Sequence, residues 1–324
     1  KKEPSCHLSW LINDNLAAIL ESAQDVDERI FFARKRWGKL SGMPEFLAFL
    51  RDLRQQPFDV VLDLQGLFRS GLCTAFTRAG QKVGFAAGRE LSPWFYGEKV
   101  KVPEETVHAV DKNLHLAGEA FGTIFDYEAP RFALDEAVQQ EITALMDEHD
   151  LQANLPLLAV APSSRWQSKC WPPTFFAEVI AQVYAELNGQ VCCWLLGTND
   201  EAHLGNTIVD TLPKTVRPVN LMGQTSLPVM MGLLQRSTAL VANDSGPMHL
   251  AVALSTPVAA CYGPTSPEKT GPYGSQHRVF QGKVVCAPCF KRECPLPEQI
   301  CQTQTFAAGD VAHYIVSCCR SSFQ

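Results

Sequence analysis

The stretch Leu240–Gly274, LVANDSGPMHLAVALSTPVAACYGPTSPEKTGPYG, decides how this chain is read. The apolar run Thr238–Ala242 that leads into it has the character of a buried strand. That run ends in Asn243-Asp244-Ser245-Gly246, and a helix of small residues is predicted over His249–Leu254. A second apolar run, Val258–Tyr262, then meets the loop Gly263-Pro264-Thr265-Ser266-Pro267. Strand, polar glycine turn, helix start and second strand form a phosphate-cradling unit of an α/β protein. The helix start offers unpaired N–H groups and a positive dipole end, and Gly246 lets a ligand approach the backbone. Asp and Ser before a helix are also the commonest N-caps, with no ligand involved. Polar and small residues crowd two successive strand ends here, and ligands of open α/β sheets bind outside such ends. The pattern favours a site.

Upstream, the alternation continues. Leu157–Ala161, Val191–Leu196 and Val216–Leu221 read as strands, with helices over Pro172–Asn188, Glu201–Leu212 and Leu227–Gln235. Polar-faced residues 135–150 read as a helix, and Asn154-Leu155-Pro156 as a turn, so a domain boundary is placed just before it. The first half reads similarly. Cys6–Ile12 and Arg29–Ala33 are strands, Pro44–Gln55 is an amphipathic helix, and Phe58–Gly66 is a strand ending in Asp63, Gln65 and Gly66. Helix 67–78, strand 82–85 and a helix beginning near Val107 follow. Strand and helix alternating in this way imply two α/β domains with parallel sheets, 1–150 and 151–305, and a ligand cleft between them. Residues 306–324 form a C-terminal helix expected to pack back on the N-terminal domain.

The bulk numbers agree with two domains: 324 residues exceed what one core usually holds. A hydrophobic content of 46% with 19% charged residues is that of a globular enzyme. The net charge of −6 argues against a nucleic-acid footprint. An anionic ligand must therefore be met by a few local Lys or Arg side chains. Several of the twelve cysteines sit in apolar runs (Cys192, Cys193, Cys261), as reduced thiols packed like small hydrophobes do. No apolar run reaches the ~18 residues of a membrane span, and the first residues lack a signal peptide's apolar region. A cytoplasmic protein is expected.

Ser163-Ser164-Arg165-Trp166-Gln167-Ser168-Lys169 lies between strand 157–161 and a Pro-started helix. It sets hydroxyls, an Arg and a Lys where a diphosphate would sit, and a leaving phosphate needs positive charge already in place. A solvated loop is the competing reading. Glu201, after strand 191–196, is suited to ribose hydroxyls or simply to the dipole of its own helix. Asp244, Ser245 and His249 do not make a hydrolase triad, because no G-x-S-x-G elbow is present. Asp25-Val26-Asp27 precedes a strand and reads as an exposed turn rather than a metal–phosphate site. No G-x-G-x-x-G follows a strand, which weakens a nicotinamide reading. Cys286, Cys289, Cys294 and Cys301 have the number, though not a recognisable spacing, for zinc or an iron–sulfur cluster. Reduced cysteines in a loop-rich segment are the preferred reading, so no metal is expected.

Together these residues resemble a known family. Asn243-Asp244-Ser245-Gly246-Pro247-Met248-His249, Tyr262–Glu268 and Gly271-Pro272-Tyr273-Gly274 look like the signature of the heptosyltransferases, glycosyltransferase family 9. Ser163-Ser164-Arg165 with Lys169-x-Trp171-Pro172, Asn220-Leu221-x-Gly223-x-Thr225-Ser226-Leu227, and Asp63-x-Gln65-Gly66-x3-Ser70 support the match. Ala287–Cys294 resembles the second lipopolysaccharide heptosyltransferase more than the first. The resemblance runs from about residue 58 to 302.

What the resemblance implies is a GT-B fold of two Rossmann-like domains, the sugar nucleotide being held by the C-terminal one. The implied activity is inverting transfer of L-glycero-D-manno-heptose from ADP-heptose to the lipid A–Kdo inner core, with no cofactor. By position, Lys169 would bind the diphosphate, assisted by Ser163, Ser164 and Arg165. Glu201 would hold the ribose, Thr225 would lie by the adenine, and Asp244, Ser245, Gly246 and His249 would line the donor. The family chain opens with a strand and an Asp that serves as general base, whereas Cys6–Ile12 resembles the family's second strand. That opening unit is expected ahead of Lys1, and Asp63 is the substitute candidate among visible residues, against a loop-bracing role. A monomer touching the inner face of the inner membrane is expected, with Arg34, Lys35, Arg36, Lys39 and Arg69 as a candidate basic patch. The alternatives are a nucleotide-sugar epimerase or hydrolase on the same fold, or a non-catalytic sugar-nucleotide- or metal-binding protein.

Overall fold

Two α/β units make up the computed structural model, which describes residues 6–152, 154–296, 298–304 and 306–321. The N-terminal unit holds His7–Ala17 and Glu28–Glu128; the C-terminal unit holds Ala18–Asp27 and everything from Ala129 onward. In chain order the first elements are β1 (Ser9–Asn13), α1 (Ala17–Glu21), β2 (Glu28–Phe32), α2 (Arg34–Trp37) and α3 (Met43–Gln55). Next come β3 (Val60–Asp63), α4 (Phe68–Phe76), β4 (Gln81–Phe85), β5 (Glu98–Val100) and α5 (Ala109–Phe121). All strand pairs are parallel, but β1–β2 and β3–β4–β5 are separate short sheets rather than the single sheet expected.

An aromatic cluster anchors α2 and α3: the rings of Phe32, Trp37, Phe46 and Phe49 stand 4.7–6.4 Å apart. The end of β3 is fixed differently. Asp63, 4% exposed, accepts hydrogen bonds from the N–H groups of Gln65 (2.9 Å) and Gly66 (3.0 Å), and from the Tyr96 hydroxyl (2.6 Å). Gly66 takes φ +64°, which glycine adopts without strain. The Tyr96 ring fills the space above Gly84, the register partner of Asp63; a Cβ on Gly84 would lie 2.3 Å from the ring. Burial pushes the Tyr96 hydroxyl well above its ordinary range, and its bond to Asp63 adds to the shift.

The C-terminal unit continues with α6 (Glu136–Glu148), β6 (Leu157–Ala161), α7 (Pro173–Glu186), β7 (Cys192–Leu195), α8 (Ala202–Thr211) and β8 (Val219–Asn220). It closes with α9 (Leu227–Arg236), β9 (Ala239–Asn243), α10 (Gly246–Ala253), β10 (Val258–Tyr262), α11 (Pro267–Thr270), β11 (Arg278–Gln281), α12 (Ile300–Thr303) and α13 (Ala308–Ser321). The strands form one parallel sheet in the order β11-β10-β9-β6-β7-β8. Its central strands are apolar throughout because both faces are covered. Leu158, Val160, Val241 and Cys261 point to the layer of α7, α8 and α13. Leu157, Ala159, Leu240 and Tyr262 point to the layer of α6, α9 and α10.

Four further features differ from the sequence reading. The boundary falls at residue 128 rather than 150, because α6 buries Ile142 and Met146 in the core beneath α9. Residues 18–27 leave the N-terminal unit to join that core: Ala133 N–H donates to Ser22 O (2.8 Å) and Gln24 N–H to Arg131 O (2.9 Å). The Arg131 guanidinium is paired with Asp25 and holds its carboxyl below the usual range. The C-terminal helix α13 belongs to the C-terminal unit's own core. Val311, Ala312, Ile315 and Cys319 are fully buried in the core beside α7. Lastly β11, unforeseen, extends the sheet beyond β10.

The packing of Tyr96 against Gly84 gives a direct test. Gly84→Ala is expected to cost about 1–3 kcal/mol in urea denaturation, as overpacking does. Gly80→Ala, whose added Cβ would meet only Asp59 O at 3.7 Å, is expected to change stability by less than about 0.5 kcal/mol. Equal midpoints for the two variants would refute this account of β4.

Candidate functional site

Strand order locates the site before any side chain is considered. From β6 the chain adds β7 and β8 on one side, then returns to lay β9, β10 and β11 on the other. The switch point therefore lies between β6 and β9, where ligands of doubly wound sheets bind. The two strand ends there carry Ser163–Lys169 and Asn243–Gly246, which had been singled out from sequence.

Asn243, fully buried, stitches these two ends together. Its Oδ1 accepts from the Trp171 N–H (3.0 Å) and its Nδ2 donates to Pro162 O (2.7 Å). The Ser164 hydroxyl donates to Asp244 O (2.8 Å). Asp244 is 6% exposed and its carboxylate is compensated on several sides. Oδ2 meets Lys169 Nζ at 2.6 Å and accepts from the Thr265 hydroxyl at 2.7 Å, and Oδ1 lies 3.9 Å from His249 Nε2. Three strand ends, those of β6, β9 and β10, thus converge on one carboxylate. Thr265 was visible in the sequence only as part of a turn; its position after β10 was the available signal.

The capping reading of Ser245 does not hold. Ser245 precedes α10 but makes no side-chain cap, and its buried hydroxyl oxygen has no hydrogen-bond partner. A Cβ built on Gly246 meets nothing within 4 Å, so the first residue of α10 borders open space. A buried hydroxyl without a partner beside an open helix N-terminus has the chemistry of an anion cradle.

The remaining candidates are spread along the same sheet edge. Lys169 ends a short 3-10 turn (Gln167–Lys169), and its Nζ stands 4.6 Å from the Trp166 ring centroid. Ser163 is buried and Arg165 is exposed. Glu201 Oε2 accepts from the N–H (3.0 Å) and hydroxyl (2.7 Å) of Thr198, which leaves Oε1 for another donor. Beneath it Gly223 takes φ +78°, and a Cβ there would lie 2.6 Å from Asn199 Cα. Thr225 is half-buried on the loop after β8. Asp63 belongs to the N-terminal unit, where both of its oxygens are engaged as described, the geometry of a brace.

Cys286, Cys289, Cys294 and Cys301 do come together, around a cavity of about 140 Å³ that Ser168, Pro264 and Ile300 also line. None of the cysteines is joined in a disulfide, and among the described residues no three His, Cys, Asp or Glu side chains are grouped to hold a metal ion. Burial, reinforced by the three neighbouring thiols, pushes the Cys301 thiol up. A larger depression of about 290 Å³ lies in the N-terminal unit around Asp111, His115 and Glu119 and includes none of these strand-end residues.

The sequence model for "Glycosyltransferase family 9 (heptosyltransferase)" matches residues 46–300. Lipopolysaccharide heptosyltransferase 1 of Pseudomonas aeruginosa is 27% identical over 298 residues, 90% of this chain and 79% of its own length. Lipooligosaccharide heptosyltransferase 2 of Haemophilus influenzae is 31% identical over 167 residues, 48% of this chain and 46% of its own. The structure of Escherichia coli ADP-heptose lipopolysaccharide heptosyltransferase II superposes with a TM-score of 0.76 at 19% identity, covering 100% of this chain and 92% of that one. An E. coli heptosyltransferase solved with ADP gives 0.73 at 24% identity over 98% and 92%. The shared architecture is the GT-B fold. With the family's model spanning most of its length, the chain belongs to glycosyltransferase family 9, the heptosyltransferases.

Proposed function

We propose that this glycosyltransferase moves L-glycero-D-manno-heptose from ADP-heptose to the Kdo- or heptose-bearing inner core of lipopolysaccharide, inverting the anomeric centre. The observation that carries the donor half is the buried Lys169–Asp244 pair at the sheet's switch point, beside the partnerless Ser245 hydroxyl and the open start of α10. A departing ADP develops negative charge on its terminal phosphate. Lys169 Nζ, the Ser163 and Ser245 hydroxyls and the α10 N-terminus meet that charge from fixed positions, while Ser164, whose hydroxyl proton goes to Asp244 O, braces the loop, so little reorganisation is needed as the bond breaks. Arg165 and His249 flank the same edge. Glu201 offers its free Oε1 to the ribose hydroxyls, and Thr225 lies towards the adenine. Because protein groups supply the counter-charge, the reaction requires no metal or other cofactor.

Inversion needs a base to take the proton of the attacking hydroxyl. We do not assign that role to Asp63, whose two oxygens are already occupied by Gln65, Gly66 and Tyr96. The acceptor is a lipid-borne anion. The exposed cations Arg34, Lys35 and Arg36 on α2, with Lys39 just after it, are suited to it and to peripheral contact with the inner face of the inner membrane. No helix among the described residues is long and apolar enough to cross a membrane. A cytoplasmic, monomeric enzyme fits this reading.

Incubation with ADP-heptose and a Kdo–lipid A or heptosyl-Kdo–lipid A acceptor is expected to release ADP, in EDTA as without it. Failure to consume ADP-heptose would sink the proposal, and release of free heptose without acceptor would make the protein a hydrolase. Lys169→Ala is expected to lower kcat/KM by about 10²–10³-fold, as loss of a transition-state charge partner does. Glu201→Ala is expected to raise the donor KM about tenfold with kcat nearly unchanged, the signature of lost ground-state binding. A kcat loss equal to that of Lys169→Ala would place Glu201 in the chemistry instead.

A further inference from the structure

The loop between β11 and α12 makes no strand ladder, yet it is bound closely to the turn that carries Lys169. Ser168 N–H donates to Arg292 O (3.3 Å), and the Ser168 hydroxyl donates to Lys291 O (2.7 Å). Gln302 Nε2, in α12, donates to Lys169 O (2.9 Å) and Ser168 O (3.4 Å). Phe290 N–H donates to Pro264 O (2.8 Å), at the end of β10. Ser168 is 3% exposed and Gln302 1%, so these bonds are shielded from water. The thiol-lined cavity lies behind the same contacts. The backbone at Arg292 is therefore held in register with Lys169.

The side chains follow. The Arg292 guanidinium lies 5.7 Å from the Trp166 ring centroid, and Lys169 Nζ lies 4.6 Å from the same centroid. Each cation lies within the ~6 Å reach of the ring's attraction, so the two stand no more than about 10 Å apart. At that separation solvent screens their mutual repulsion, so both can serve one diphosphate. Lys169 is matched by Asp244, so that pair brings no net charge to an incoming diphosphate. Among the described residues no carboxylate pairs with Arg292, whose side chain is exposed. A sugar diphosphate carries two negative charges and gains more on cleavage. With Lys169 matched by Asp244, the uncompensated positive charge for a diphosphate has to come from exposed cations on this edge, Arg165 and any other that reaches it.

We propose that Arg292 is a further diphosphate-binding cation beside Lys169 and Arg165, carried to the site by the cysteine-lined loop and aligned by Trp166. Its planar fork bridges two phosphate oxygens, where Lys169 acts as a point charge. The proposal rests on ADP-heptose being the donor, and inorganic diphosphate serves as a probe that does not. Binding of ADP, adenosine and inorganic diphosphate is measured by calorimetry on the full chain, for the wild type, Arg292→Gln and Arg292→Lys. The expected result is about a tenfold loss of affinity for ADP and diphosphate in Arg292→Gln, with adenosine unchanged, partial recovery in Arg292→Lys, and a wild-type advantage that shrinks with salt. Unchanged ADP and diphosphate affinities in Arg292→Gln would overturn the assignment, as would equal weakening of ADP and adenosine, which marks a displaced loop. If the wild type binds diphosphate through Arg292 but not ADP, the donor reading fails while this assignment stands.

Discussion

A buried carboxylate at the centre of a sheet edge sets the terms for the rest of the C-terminal unit. Taking an unpaired carboxylate out of water costs several kcal/mol even after relaxation. Asp244 avoids that cost only because Lys169 and Thr265 reach it from the ends of the two strands flanking β9. The loop after β6 must fold back across β9, and the loop after β10 must lean towards it. Asn243, one residue earlier, imposes the same geometry from within by bonding Pro162 and Trp171. A charge that would otherwise destabilise the core thereby orders the three loops that make the site. It also removes Lys169 from bulk solvent, leaving it 17% exposed at a fixed position. Preorganisation of that kind is what electrostatic catalysis draws on.

Much of this was legible in the sequence, and the reason is physical. Strands buried on both faces need uninterrupted apolar residues, so β6, β7, β9 and β10 announced themselves, and polar residues at their ends stood out against them. β8, read within Val216–Leu221, proves only two residues long, and the half-exposed β11 carries no such signal. The division into units was misplaced because residues 18–27 and α6 join the C-terminal core through contacts distant in sequence, such as Ala23 bridged to Phe132. Asp63 was ambiguous for a similar reason. Whether a strand-end carboxylate is free or committed depends on a partner that here lies 33 residues on, at Tyr96. Ser245 is the reverse case: composition allows a cap or a ligand, and the placed hydroxyl makes no cap.

The cysteines divide by environment, in a way that their number conceals. Cys193 and Cys261 are buried strand residues whose thiols are pushed far up by burial, and they behave as small hydrophobes. The group at 286–301 lines a cavity of its own in a loop built around turns, with Ala287-Pro288 in the cis form. That loop has no ladder to hold it. Its order comes from side-chain and main-chain bonds to the turn it supports, which makes the support mutual.

The path of residues 18–27 has a consequence for anyone dividing this protein. Because that segment enters the C-terminal core from between two strands of the N-terminal unit, no single cut in the chain yields two complete halves. A fragment starting at Ala129 would lack the pieces that carry Ile19 into its core and pair with Ala133, exposing apolar surface near Met231. A fragment ending at Glu128 would carry those pieces with nothing to bury them against. Exchanging the two units between relatives by one crossover would leave a mismatched seam here, and a working hybrid needs residues 18–27 taken from the parent that supplies the C-terminal unit.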